Sequence, residues 1–149
     1  MDNHIKKFIA LTGFEKPTNA QIALLSCEND CVESYDRRDG ITTAHVVKCV
    51  AMAENVPNSI QTIVSPNIEN AMNIAKQLKY DISPQFNHIE HTCAFLNGSV
   101  IKFKNMHQFK NAKGEIHGVV SADMSNDIES VNWLKENKTS MCISYVNTQ

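Results

Sequence analysis

The chain has 149 residues, 42% of them hydrophobic and 20% charged, and its 14 Lys and Arg against 16 Asp and Glu leave a formal net charge of -2 at pH 7. One domain, residues 1–149, is the expectation at this length, with a core that removes roughly two-thirds of the unfolded surface from water. Balanced charge excludes a generically basic nucleic-acid binder, recurrent apolar runs exclude disorder, and no run approaches the ~18 apolar residues of a membrane span.

In chain order, Asp2 to Leu11 has the spacing of a short amphipathic helix, and its charged residues Asp2, His4, Lys6 and Lys7 do not fit a signal peptide. Residues 1–17 form this helix and a lead-in, whose Gly13 to Thr18 reads as a turn; Thr18 or Asn19 then caps a helix through Gln21, Leu24 and Leu25. Cys31 to Tyr35 is a predicted strand, Arg37-Arg38-Asp39-Gly40 a polar turn, and Thr42 or Thr43 the cap of a helix that ends before Pro57. Ile60 to Val64 is β-branched and predicts a strand, and Asn67 opens a helix with Ile68, Ala71, Met72, Ala75 and Leu78 on one face. His88 to Leu96 and Ser99 to Phe103 alternate around Asn97-Gly98, a hairpin signal. Lys104 to Glu115 reads as a polar loop, Val119 to Ala122 as a buried parallel strand ending at Asp123, Asp127 to Glu136 as a helix and Met141 to Val146 as a last strand. This alternation predicts an α/β domain with a mainly parallel, three-layer core and one inserted hairpin.

Ligands of such sheets sit at the carboxyl ends of the strands, where helix N-termini present N–H groups and a positive dipole end. Two segments fall there: Tyr35 to Thr43, and Asp123. A phosphate-binding loop needs glycines for close backbone approach, a lysine for the β- and γ-phosphates and a hydroxyl for Mg²⁺. Gly40 fits its second glycine and Thr42 its hydroxyl, but Ile41 stands in the place of the lysine and Tyr35 in that of the first glycine. An ordinary strand-to-helix turn is the alternative reading of this half motif.

The order of segments over roughly residues 14 to 149 resembles the ATPase domain of phage large terminases and, more loosely, the first RecA-like domain of superfamily 2 helicases. Gly13 to Thr18 followed by Gln21 resembles the helicase lead-in whose glutamine reads adenine. Arg37 to Thr43 resembles the terminase Walker A string, with Arg37 in the place of its arginine. Ile63 to Asn67, with Ala71 and Ile74, resembles the strand and helix that follow, Phe95 to Ile101 the Asn-Gly-Ser hairpin, Gly118 to Met124 the Walker B strand, and Ile143 to Thr148 the coupling strand. The resemblance implies a P-loop NTPase-like fold, with Gln21, Arg37, Arg38, Gly40, Thr42, Thr43 and Asp123 as a vestigial nucleotide and phosphate site. It also departs from the family. Ile41 replaces the Walker A lysine and Met124 the Walker B glutamate, and phosphoryl transfer depends on both kinds of group. The implied protein has no catalytic residues and no cofactor beyond weak ATP and Mg²⁺ binding. It acts on a partner such as a terminase or portal component, or on DNA. A divergent ATPase in which Arg37 or Arg38 supplies the missing charge, and a small adaptor with no nucleotide role, are the alternatives.

Composition is compatible with that setting: abundant Asn, Ile and Lys match AT-rich codons of a phage, a mobile element or an AT-rich bacterium, and five cysteines in scattered apolar contexts read as reduced thiols of a cytoplasmic protein. His88, His91 and Cys93 carry metal-ligand chemistry but lack a second cluster, and they read as a strand-surface set rather than a metal site. Lys102, Lys104, Lys110 and Lys113 form the basic stretch and are the candidates for contact with a nucleic-acid backbone, a solvated hairpin extension being the alternative. Trp133 reads as a core anchor or a contact residue.

Overall fold

The computed structural model describes residues 3–26, 31–35, 40–111, 119–123, 129, 132–133, 136 and 141–146, with 31–35, 119–123 and 141–146 described as backbone. Five helices, α1 (Asn3–Thr12), α2 (Asn19–Ser26), α3 (Ile41–Asn55), α4 (Ile68–Gln77) and α5 (Met106–Lys110), are placed among these residues with seven strands. The strands are β1 (Cys31–Tyr35), β2 (Ile60–Val64), β3 (Gln85–Asn87), β4 (Thr92–Ala94), β5 (Val100–Lys104), β6 (Val119–Asp123) and β7 (Met141–Val146). They form one mixed sheet in the order β1-β7-β6-β2-β5-β4-β3. β1, β7, β6, β2 and β5 run parallel, and β4 and β3 close one edge antiparallel. The α/β class, the mainly parallel sheet and the inserted hairpin agree with the sequence reading.

α3 organises the core. Its residues from Ala44 to Ala51, together with Ile41 and Ala53, are buried apart from Thr42, Thr43 and Met52, so it lacks the polar stripe of a surface helix. It lies over β6 and β2 on one side and against α1 and α2 on the other. Phe8 and Leu11 of α1, Leu24 and Leu25 of α2, Ala71, Met72 and Ala75 of α4, and Ile63, Ile101 and Phe103 of the sheet join it in one cluster. Burial of each large side chain of this kind contributes about 1.5–3 kcal/mol. The opposite face of β5 carries Lys102 and Lys104, half-buried, as strand alternation requires.

Three local expectations change. The cap of α3 is Gly40, not Thr42 or Thr43, with a left-handed φ of 67° and no side-chain cap bond. The polar segment after β5 contains α5, which Asn105 and Gln108 start with a reciprocal capping box. The hairpin turns through Leu96, Asn97 and Gly98, with Phe95 N–H bonded to Ser99 O at 2.9 Å and Gly98 at φ 87°; the stretch from His88 to His91 is a turn, not strand. β3 is an element that the sequence reading lacked. Residues 129, 132, 133 and 136 are helical, and the rest of the segment predicted as the last helix, on which the third layer rests, lies outside the described residues.

Candidate functional site

Because five strands run parallel, their carboxyl ends share one edge, and the chain leaving β1 toward α3, the turn after β2 and the end of β6 all open there. Register aligns Glu33 of β1 with Ser144 of β7, and Ser144 with Asp123 of β6. Asp123 therefore ends on the same edge as the turn into α3. It is not on the strand next to β1: β7 lies between β1 and β6. Strand order is set by pairing between distant segments, and local patterning carries no record of it.

At the turn into α3, Gly40 and Gln21 depend on each other. Gln21 is buried; its N–H donates to Thr18 Oγ1 at 3.1 Å and its Oε1 accepts from Thr18 N–H at 2.9 Å, which is the capping box of α2. Its Nε2 reaches across 19 residues to donate to Gly40 O at 3.1 Å. That carbonyl also accepts the first helical bond of α3, from Ala44 N–H at 3.3 Å. A Cβ at position 40 would lie 2.4 Å from Gln21 Nε2, so the close approach and the left-handed backbone both call for glycine. Thr42 and Thr43 follow, half-buried, in the first turn. Ile41 is 8% exposed and belongs to the core cluster. Its side chain is a packing element beneath the turn.

The structure thus brings Gln21, Gly40, Thr42 and Thr43 together and sets the backbone of Asp123 on the same edge. Arg37, Arg38 and Met124 lie outside the described residues. Of the basic set, Lys102 and Lys104 line a cavity of about 360 Å³ with His91 and Gln108. Lys110 instead sits over the Trp133 ring, 5.3 Å from its centre, and Lys113 lies outside the described residues. Trp133 packs edge-on against Phe109, ring centres 6.1 Å apart. The histidines diverge: His88 Nε2 meets Lys76 Nζ, His91 Nε2 meets Glu69 Oε1 at 3.4 Å, and Cys93 is buried, its thiol pushed up to about 12 by desolvation. Among the described residues no three His, Cys, Asp or Glu side chains converge as a metal site would need.

Two buried polar residues of α3 escaped the sequence reading. Lys48 Nζ donates to Leu24 O at 3.2 Å and so closes the C-terminal end of α2. His45 is fully buried, and desolvation, with the Lys48 charge a turn away, holds its pKa at about 3. Their signal was available: both interrupt the apolar run Ala44 to Ala53 at positions facing inward. Among the described residues no helix is long and apolar enough to cross a membrane.

Comparison with known proteins places the fold. No family model and no curated protein matches the chain. Among solved structures, the large terminase ATPase domain of Thermus phage P74-26 superposes with a TM-score of 0.65, covering 93% of this chain and 68% of that one at 18% identity. An arginine-to-alanine mutant of the same domain gives a TM-score of 0.65 at 19% identity over the same shares. The chain therefore has an α/β fold like that of a phage large terminase ATPase domain.

Proposed function

We propose that the chain is a catalytically silent, P-loop NTPase-like domain of terminase type that acts by binding rather than by turnover. The observation that carries this reading is Ile41. It occupies the place that the terminase resemblance gives to the Walker A lysine, and it is committed to the core, so no ammonium reaches a γ-phosphate from position 41. Met124 in the place of the Walker B glutamate removes, on the same reading, the group that orients water. What remains is a first turn of α3 with no side-chain cap, the hydroxyls of Thr42 and Thr43, the Gln21 strut and Asp123, with Arg37 and Arg38 shortly before Gly40 in the sequence. Such a set attracts phosphate weakly, as ATP with Mg²⁺. The domain then engages a packaging component, a terminase or portal protein, or DNA, in the cytoplasm of a host cell, and modulates the active motor.

Phosphate release with ATP and Mg²⁺ tests the proposal directly. No turnover is expected from the native chain, and calorimetry should show ATP binding no tighter than millimolar. Ile41→Lys, whose side chain starts from a buried position, should cost at least about 1.5–3 kcal/mol of stability, the burial of the isoleucine, and leave ATP binding no tighter. Turnover abolished by Thr42→Ala or Asp123→Asn would overturn silence in favour of a divergent ATPase. Packaging proteins should co-purify with the chain from its native host.

A further inference from the structure

α3 ends at the amino edge of the sheet, away from the turn that begins it. β1 and β2 run parallel within one sheet, so the helix that connects them carries the chain back from the carboxyl edge. There the end of α3, the Asn97 turn and the connection from α4 to β3 enclose a cavity of about 210 Å³, lined by Glu54, Asp81, Ile82, Phe95, Leu96 and Asn97. Two of these are aliphatic side chains left in water: Leu96 is 83% exposed and Ile82 65%. A single exposed aliphatic residue is ordinary on a protein surface; two from separate connections lining one cavity make a patch. The walls are fixed. Asn97 Nδ2 is tied to the carbonyls of Ala53 and Glu54, Phe95 stands edge-on to Tyr80 with ring centres 6.4 Å apart, and the Tyr80 hydroxyl donates to Ala75 O at 2.7 Å. The two carboxylates differ. Glu54 Oε2 is paired with Lys7 Nζ of α1 at 2.5 Å, whereas Asp81 is exposed and makes no ion pair among the described residues. Lys79, two positions earlier, sets its Nζ beside Gly13.

We propose that this cavity docks a segment of a partner protein that presents a large apolar side chain next to a lysine or arginine. The apolar side chain covers Leu96 and Ile82, and the cation meets Asp81, so that the charge of the rim is complemented. Size favours one side chain of a larger molecule, because pockets that enclose a free drug-sized ligand run to about 300–1,000 Å³. The inference rests on the proposed function only in that the domain acts by binding a protein. It is independent of the reading of Ile41, since the cavity and the turn into α3 lie at opposite edges of the sheet.

The test is an amide NMR titration of the full chain, carried to millimolar peptide, with acetyl-Gly-Leu-Arg-Gly-amide and with two controls in which glutamate replaces the arginine or glycine the leucine. The Leu-Arg peptide should shift the amides of Asp81, Ile82, Leu96 and Asn97, and each control should bind more weakly. Leu96→Ser should weaken binding of the Leu-Arg peptide about tenfold. Asp81→Asn should weaken it about threefold and remove its salt dependence, whereas Asp81→Glu keeps both. These substitutions lie at exposed positions and leave the Asn97 bonds in place, so the variants fold. No shift at these amides, equal binding of the glutamate control, or variants that bind like the native chain would overturn the site. So would a dimer in sedimentation that Leu96→Ser dissociates, which gives the surface to a second copy of this chain. ATP turnover by the native chain would overturn the proposed silence and leave this titration as it is.

Discussion

The two ends of α3 are built in opposite ways. At the C-terminal end, the hairpin supplies the partners that a helix terminus lacks. Asn97 Nδ2 donates to Ala53 O at 2.8 Å and Glu54 O at 3.2 Å, and Ser99 Oγ donates to Val56 O at 2.7 Å. Ser99 Oγ also accepts Ser59 N–H at 3.2 Å, and Asn97 O accepts Asn58 N–H at 3.2 Å. A Cβ on Gly98 would fall 2.1 Å from Asn58 Oδ1, so the clamp closes only over a glycine. At the N-terminal end the cap is Gly40, which has no side chain to offer, and Gln21, its long-range partner among the described residues, binds its carbonyl rather than the N–H groups of the first turn. One end is closed by side chains from 43 and 44 residues away; the other, among the described residues, has no side-chain cap. The Asn-Gly-Ser string that resembles the terminase hairpin is therefore structural here, and the turn into α3 is where the proposed function places a ligand.

If this contrast is right, damage to the closed end is read in stability. Asn97→Ala removes two bonds to α3 carbonyls and the Oδ1 that accepts Ser99 N–H at 3.0 Å. It should cost about 2–3 kcal/mol, seen as a lower urea midpoint, and leave the ATP affinity proposed for the turn into α3 unchanged. The next effect comes from the middle of the helix. His45 takes a proton in the native state only at about pH 3, whereas the unfolded chain takes it at 6.5. Between those values the unfolded state binds more protons, so the stability present above pH 6.5 declines as pH falls. The decline from this one group reaches about 2 kcal/mol by pH 5. His45→Gln should flatten the pH dependence of the urea midpoint by up to one proton; an unchanged slope would show that the imidazole is not excluded from water.

The contrast also explains what the sequence could disclose. Ile60 to Val64 and the Asn67 cap were legible because each rests on a short-range rule, β-branching or an Asx side chain accepting Asn70 N–H at 3.0 Å. α5 was hidden because its Asn-x-x-Gln box sits in a polar stretch with no apolar run behind it. β3 is three residues long, too short for alternation to register. The Gly40 cap was misassigned to a threonine because hydroxyls are the usual caps, and here the chain enters α3 through a left-handed residue pressed against Gln21. Of the site, the residue types were visible at positions 21, 40, 42 and 43, but the burial of Ile41 depends on α1 and α2 packing across α3. The cavity at Lys102 and Lys104 depends on α5.

Smaller effects belong to the open end. Gly40→Ala puts a side chain on a left-handed residue and against Gln21 Nε2. About 1–2 kcal/mol of loss is expected, less than for Asn97→Ala, together with weakened ATP binding in calorimetry. Equal or greater loss than at Asn97 would make the N-terminal end as structurally closed as the other.

Gln21→Glu sharpens the point with the smallest change. Glutamate serves the α2 capping box as well as glutamine, so the bond from Thr18 N–H persists. Only the donation from Nε2 to Gly40 O disappears, and a carboxylate oxygen then faces that carbonyl. The expected cost is about 1 kcal/mol. It should register as faster amide hydrogen exchange in the first turn of α3, with α2 and the Asn97 end of α3 unaffected. Fraying confined to one end requires that the two ends open independently, which follows if the hairpin clamp, and not the Gln21 strut, holds α3 in the core. Exchange rising along the whole helix would mean instead that the strut anchors all of α3, and the division between a structural and a ligand-facing end would fail.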